Sequence, residues 1–223
     1  MVSCFSDDDL VDDFEVITDA YVIKKKSGEE PVYAVSFYAF ANQFMRSVTA
    51  TEMGGSGEKI NLAQDPTSIL VMSKKPQESD FRSYAPATSD YLFQVVAESG
   101  ISVDSYDFLS YDDIDIPEIV KTEFNESNKL LEIDWNEAEG ADGYLVKILN
   151  SEGTEISVSQ GFENDVTDYT INVVLESWVV VPEPGETYTI QVHAFAYEPE
   201  FDEGYEVYNV QEVSIAEESI VWP

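Results

Sequence analysis

Apolar residues recur at every second position in one short run after another along this chain. A period of two places them on one face of a β-strand, and no stretch keeps the three-and-four spacing of an amphipathic helix. Val35, Phe37, Ala39 and Ala41 share one parity of the run 32–44. Leu131, Ile133 and Trp135 do so in 130–135, Tyr144, Val146 and Ile148 in 144–149, and Ile190, Val192, Ala194 and Ala196 in 189–198. Such runs can bury an apolar face only against another sheet, so the chain must build sandwiches or barrels. Aromatic residues make up 13% of the chain and hydrophobic residues 43%, which is enough to fill such cores and too much for a disordered tail.

Turn residues divide the runs. Lys24-Lys25-Lys26-Ser27-Gly28-Glu29-Glu30-Pro31 reads as a hairpin turn between strands at 14–23 and 32–44, and Gly54-Gly55-Ser56-Gly57 breaks the chain again. The stretch 74–89, with Pro76 and Pro86 and few periodic apolar positions, reads as a long loop with one short helical turn. Asp112-Asp113-Ile114-Asp115-Ile116-Pro117 is poor core material ending in a proline, which sets a domain boundary there. The expected architecture is all-β: two consecutive immunoglobulin-like β-sandwiches, 13–115 and 116–223, behind a tether at 1–12.

The second half carries three more specific features. Trp135 lies on its second strand, Tyr144 opens its third after Gly140-Ala141-Asp142-Gly143, and Pro184-Gly185-Glu186-Thr187-Tyr188 precedes its sixth. With these residues 116–223 resembles a fibronectin type III domain. The resemblance implies that Trp135 fills the space between two sheets and that the Tyr188 hydroxyl bonds back to backbone as a corner. It implies no function, because such sandwiches serve as spacers, ligand modules and adhesive units alike. The first half is immunoglobulin-like by strand count only.

The chain holds 11 basic and 45 acidic side chains, a net charge of −34, which repels nucleic acid and anionic lipid headgroups. One His and one Cys cannot supply a His-rich metal centre, a structural zinc site, a Cys–His pair or an internal disulfide. Among so many carboxylates, pairs at any spacing arise by chance and do not mark a hydrolase. His193 has parity opposite to Ile190 and Val192, which predicts an exposed or half-buried strand position. The chain therefore reads as a non-enzyme with no required cofactor, expected to be monomeric.

Val2-Ser3-Cys4 followed by Asp7-Asp8-Asp9 resembles the start of a bacteroidete-type surface lipoprotein, in which Cys4 carries the acyl groups and the acidic run serves as export tag. The resemblance implies an outer-membrane or cell-surface address, facing outward or toward the periplasm, with membrane contact through the lipid alone, and a place in polysaccharide uptake. Exposed rings stack on sugars, and Trp178, Tyr197, Phe201 and Tyr205 are the candidates for glycan binding. Each has an alternative within the fold: Phe201 or Tyr205 covering the sandwich end, Trp178 packing in the core. Asp112, Asp113, Asp115 and Glu118 offer oxygen ligands for a Ca²⁺ ion at the junction, the alternative being a solvated acidic hinge. A structural or adhesion module gripping a protein partner by loops or strand edges fits the same architecture. Its candidate edge is the alternating run 205–215.

Overall fold

A computed structural model of the protein describes residues 13–66, 68–198 and 209–222. The described chain is all β, apart from one turn of 3-10 helix at Glu78–Asp80 within the expected long loop, and no helix in it is long and apolar enough to cross a membrane.

The first sandwich faces β1 (Val16–Ser27), β2 (Glu30–Ala41), β5 (Ala63–Asp65) and β6 (Ser68–Lys74) against β3 (Met45–Glu52), β4 (Lys59–Asn61), β7 (Ser89–Ala97) and β8 (Ser102–Leu109). Ala20, Val22, Phe37, Ala39, Val48 and Phe93 are among the side chains buried between the two sheets. The second sandwich sets β9 (Glu118–Asn125), β10 (Leu130–Asn136) and β14 (Asp168–Asn172) against β11 (Gly143–Leu149), β12 (Glu155–Val158), β13 (Phe162–Glu163), β15 (Thr187–Tyr197) and β16 (Val210–Val221).

The expected packing devices of the second sandwich are present. Trp135 is 2% exposed, with its ring centroid 5.5 Å from that of Tyr144. The Tyr144 hydroxyl accepts from the Ala138 N–H at 2.8 Å, and the Tyr188 hydroxyl accepts from the Glu183 N–H at 2.9 Å, which closes the tyrosine corner. The order β14-β10-β9 against β12-β11-β15-β16 is that of a fibronectin type III-like sandwich.

The two sandwiches share a sheet. β16 pairs antiparallel with β15 on one side and parallel with β1 on the other, in register Val22↔Glu212, Ile23↔Val213, Lys24↔Ser214 and Lys25↔Ile215. A single sheet thus runs β12-β11-β15-β16-β1-β2-β6-β5 through both halves. Residues opposite each other in a parallel pair point to one side, so Val22, Lys24, Glu212 and Ser214 share a face with both cores, and the two smaller sheets sit side by side on it. Glu212–Ile215, in the run expected to offer a free edge, is instead held on both sides.

Polar groups fill the seam between the cores. Lys24 is 6% exposed, and its Nζ donates at 2.7 Å to both Asp113 Oδ1 and Ile114 O. Glu212 has no exposure, and its Oε2 accepts the Asp113 N–H at 2.9 Å. Ser214 donates to Ile114 O, and Gln211 donates to Ser110. Lys24 therefore belongs to a strand, correcting its reading as part of a turn. β1 continues to Ser27, and Gly28 and Glu29 alone make the turn, with Gly28 at φ +66°.

Candidate functional site

β8 is the edge strand of its sheet, and its alternation separates two chemistries. Leu109 points into the sandwich, while Ser102, Asp104, Tyr106 and Phe108 face outward. Tyr106 is 65% and Phe108 51% exposed, and two strand residues on one face stand about 7 Å apart. The register carries the surface across the sheet. Tyr106 lies opposite Leu92, Leu92 opposite Thr51, and Thr51 opposite Lys59; one step along, Asp104 lies opposite Gln94, and Gln94 opposite Thr49. Lys59 Nζ donates to Gln94 Oε1 at 2.9 Å, fixing the carboxamide, and Asp90 sits opposite Phe108. The result is a solvent-facing sheet surface with two adjacent rings, bordered by carboxylates, an amide and hydroxyls. Rings of this kind stack on the apolar face of a pyranose, and the polar border suits its hydroxyls. The signal was available in the sequence as parity: both rings of 102–109 share the parity of Asp104 and Ser102.

The sugar candidates named from sequence lie elsewhere. Trp178 is half-buried. Its Nε1 donates to Val173 O at 3.0 Å, and its ring stands edge-on to Trp222 at 5.4 Å. It anchors a loop on which Val174, Leu175, Val179 and Val181 are each at least 70% exposed. Tyr197 is half-buried against Phe195, Val213 and Ile215, and its N–H donates to Asp142 Oδ2. Trp178 reaches the start of β15 through Trp222 and Tyr188, whereas Tyr197 ends that strand, about 30 Å away at the usual rise. The two are not brought into one site. Phe201, Tyr205 and Cys4 lie outside the described residues.

The junction carboxylates are not gathered either. Asp113 is engaged by Lys24, the Asp115 N–H donates to Glu139 O at 3.0 Å, and Glu118 Oε2 accepts from Asn136. Among the described residues no three acidic, His or Cys side chains converge on a point that could hold a metal ion.

His193 does lie opposite the core parity, but it is only 9% exposed. Phe195 lies 6.2 Å away ring to ring, and Gln191 Oε1 is 2.9 Å from Nε2. Burial, with Lys147 and Lys75 adding to it, pushes its pKa well below the usual imidazole range. The sequence expectation of an exposed or half-buried side chain missed that Tyr21 and Ile23 of the first half pack with Phe195 against Val213 and Ile215 on the outer face of the shared sheet.

A second set of titratable groups lies where β8 passes β1. The Asp107 carboxylate accepts the Ala20 N–H at 2.7 Å, and burial raises its pKa to about 6. Asp19 is 2% exposed and accepts the Val210 N–H at 3.0 Å. Burial and the neighbouring Asp107 raise its pKa well above the usual carboxylate range. Burial also raises Glu212, against the opposing pull of Lys24 and two backbone N–H groups.

No model of a known protein family matches the chain, and no curated protein matches it. Among solved structures it is similar to a two-domain fibronectin type III segment of chicken tenascin, with 14% identity, 93% of this chain and 99% of that one covered, and a TM-score of 0.30. It is similar to a DUF3823 family protein from Bacteroides uniformis, with 9% identity, 94% and 100% covered, and a TM-score of 0.35. It is also similar to the dimeric latent PorU of Porphyromonas gingivalis, with 9% identity, 94% and 20% covered, and a TM-score of 0.31. The fold, two sandwiches of which the second is fibronectin type III-like, stands on the strand order itself.

Proposed function

We propose that this chain is a non-catalytic accessory module, displayed at a cell surface by acyl chains on Cys4, that binds neutral polysaccharide across the outer face of its first sandwich. The observation that carries the reading is the pair Tyr106 and Phe108, exposed side by side on the outer face of β8. Asp90 and Asp104 beside the rings, and a net charge of −34, turn away anionic sugars and select an uncharged chain. The non-catalytic part is supported by the one imidazole being buried and neutral at His193. Acylation is read directly by mass spectrometry of Cys4 in natively expressed protein.

Calorimetry with neutral β-linked oligosaccharides, such as those of cellulose, xylan and mannan, tests the site. Tyr106→Ala and Phe108→Ala are each expected to weaken binding roughly three- to tenfold, as loss of one aromatic contact does, and the double variant to abolish it with unchanged thermal stability. Binding unaltered in the double variant, or absent from every neutral glycan, contradicts the proposal. The protein-binding alternative is favoured by a different feature, the strand edge described next.

A further inference from the structure

The parallel pairing of β1 with β16 ends at Lys25↔Ile215, yet β16 runs on to Val221. Beyond the fork, among the described residues, β16 pairs with β15 alone, so half of the backbone groups of 217–221 face outward without a ladder partner. Glu217, Ser219 and Val221 are exposed along this half-edge. At the fork lies a cleft of about 300 Å³, whose lining includes Lys25, Lys26, Ile116, Ile119 and Ala216 together with Glu118, Glu217 and Glu218. That volume is at the lower end of those that bind small groups, about 300–1,000 Å³. The Lys25 ammonium is held by Glu78 and lies 4.6 Å from the Phe81 ring centroid, whereas Lys26 is exposed and outside the ion pairs of the described residues. Glu217 is drawn to Gln191 at 2.5 Å.

We infer that this fork binds the C-terminus of a partner polypeptide, added as a strand antiparallel to 217–221 with its terminal carboxylate at Lys26. Three features select this occupant. The free half-edge supplies main-chain hydrogen bonds only to an extended backbone. β1 blocks the ladder at Ile215, so the added strand must end there. An antiparallel strand brings its carboxylate to Lys26, whereas a parallel one would bring its terminal ammonium there. Ile116, Ile119 and Ala216 in the lining take an apolar last side chain, and Glu118, Glu217 and Glu218 turn away further acidic residues.

The probe is an N-acetylated hexapeptide, Val-Thr-Val-Thr-Val-Leu, prepared with a free and with an amidated C-terminus and titrated against the whole chain. The free acid is expected to bind at least tenfold more tightly than the amide. Lys26→Ala, an exposed position, should bring the two to parity. Hydrogen exchange should show added protection confined to 217–221. Equal binding of acid and amide, no binding of either, or protection elsewhere overturns the inference. None of these outcomes bears on Tyr106 and Phe108, which lie on a different sheet.

Discussion

Lys24→Met is expected to destabilise the protein by about 3–5 kcal/mol, the usual cost of removing one partner from a buried charge pair. Among the described residues the Lys24 ammonium is the one cation acting on Glu212, which has no exposure and whose Oε1 has no hydrogen-bond partner there. Asp113 is 62% exposed at its side chain, so its ion pair with Lys24 adds little by itself. The loss comes from the stranded Glu212 carboxylate, since the Ile114 carbonyl keeps Ser214 as a donor. Global stabilities are typically only about 5–15 kcal/mol, so a sharp fall in the denaturation midpoint should follow. Lys24→Met combined with Glu212→Leu removes both charges and should recover most of the loss, which makes the pair strongly non-additive. A single-variant loss below about 1 kcal/mol would mean that the seam does not depend on this charge.

The second large effect is one of pH. Asp107 titrates near pH 6 in the folded chain against 3.8 for the free side chain. Between those values the folded state holds a proton that the unfolded state has released, so stability falls as pH rises through the window and stays low above it. A shift of about two units corresponds to about 3 kcal/mol, and Asp19 acts with the same sign. His193 acts oppositely, because the unfolded chain binds a proton below the ordinary imidazole range and the folded one does not. The comparison that isolates Asp107 is therefore wild type against Asp107→Asn. The variant should be more stable at pH 7.5 by up to about 3 kcal/mol, with the gap closing near pH 4. Chemical denaturation at the two pH values measures it, and parallel curves would contradict it.

Local features of the second sandwich were legible because each is a local packing problem. Trp135, Tyr144 and the Pro184–Tyr188 corner announce themselves by alternation and turn chemistry within a few residues. The seam was not legible, since a parallel pair between Val22 and Glu212 has no sequence neighbourhood. Lys24 looked like a turn residue because it stands in a run of three lysines, and its partners at Asp113 and Ile114 lie about ninety residues away. The exposed pair of rings on β8 fell between these cases. The parity of Tyr106 and Phe108 was readable, but their exposure follows from β8 lying at an edge, which only the assembled sheet decides.

Two sandwiches joined through β1 and β16 must turn as one body, whereas two sandwiches on an acidic hinge would not. Spin labels at the exposed positions Glu58 and Glu152, one in each sandwich and in a Cys4→Ser background, read the difference by pulsed dipolar spectroscopy. A shared sheet predicts one narrow distance distribution, insensitive to salt. A broad distribution that shifts as salt screens the acidic surface would contradict it.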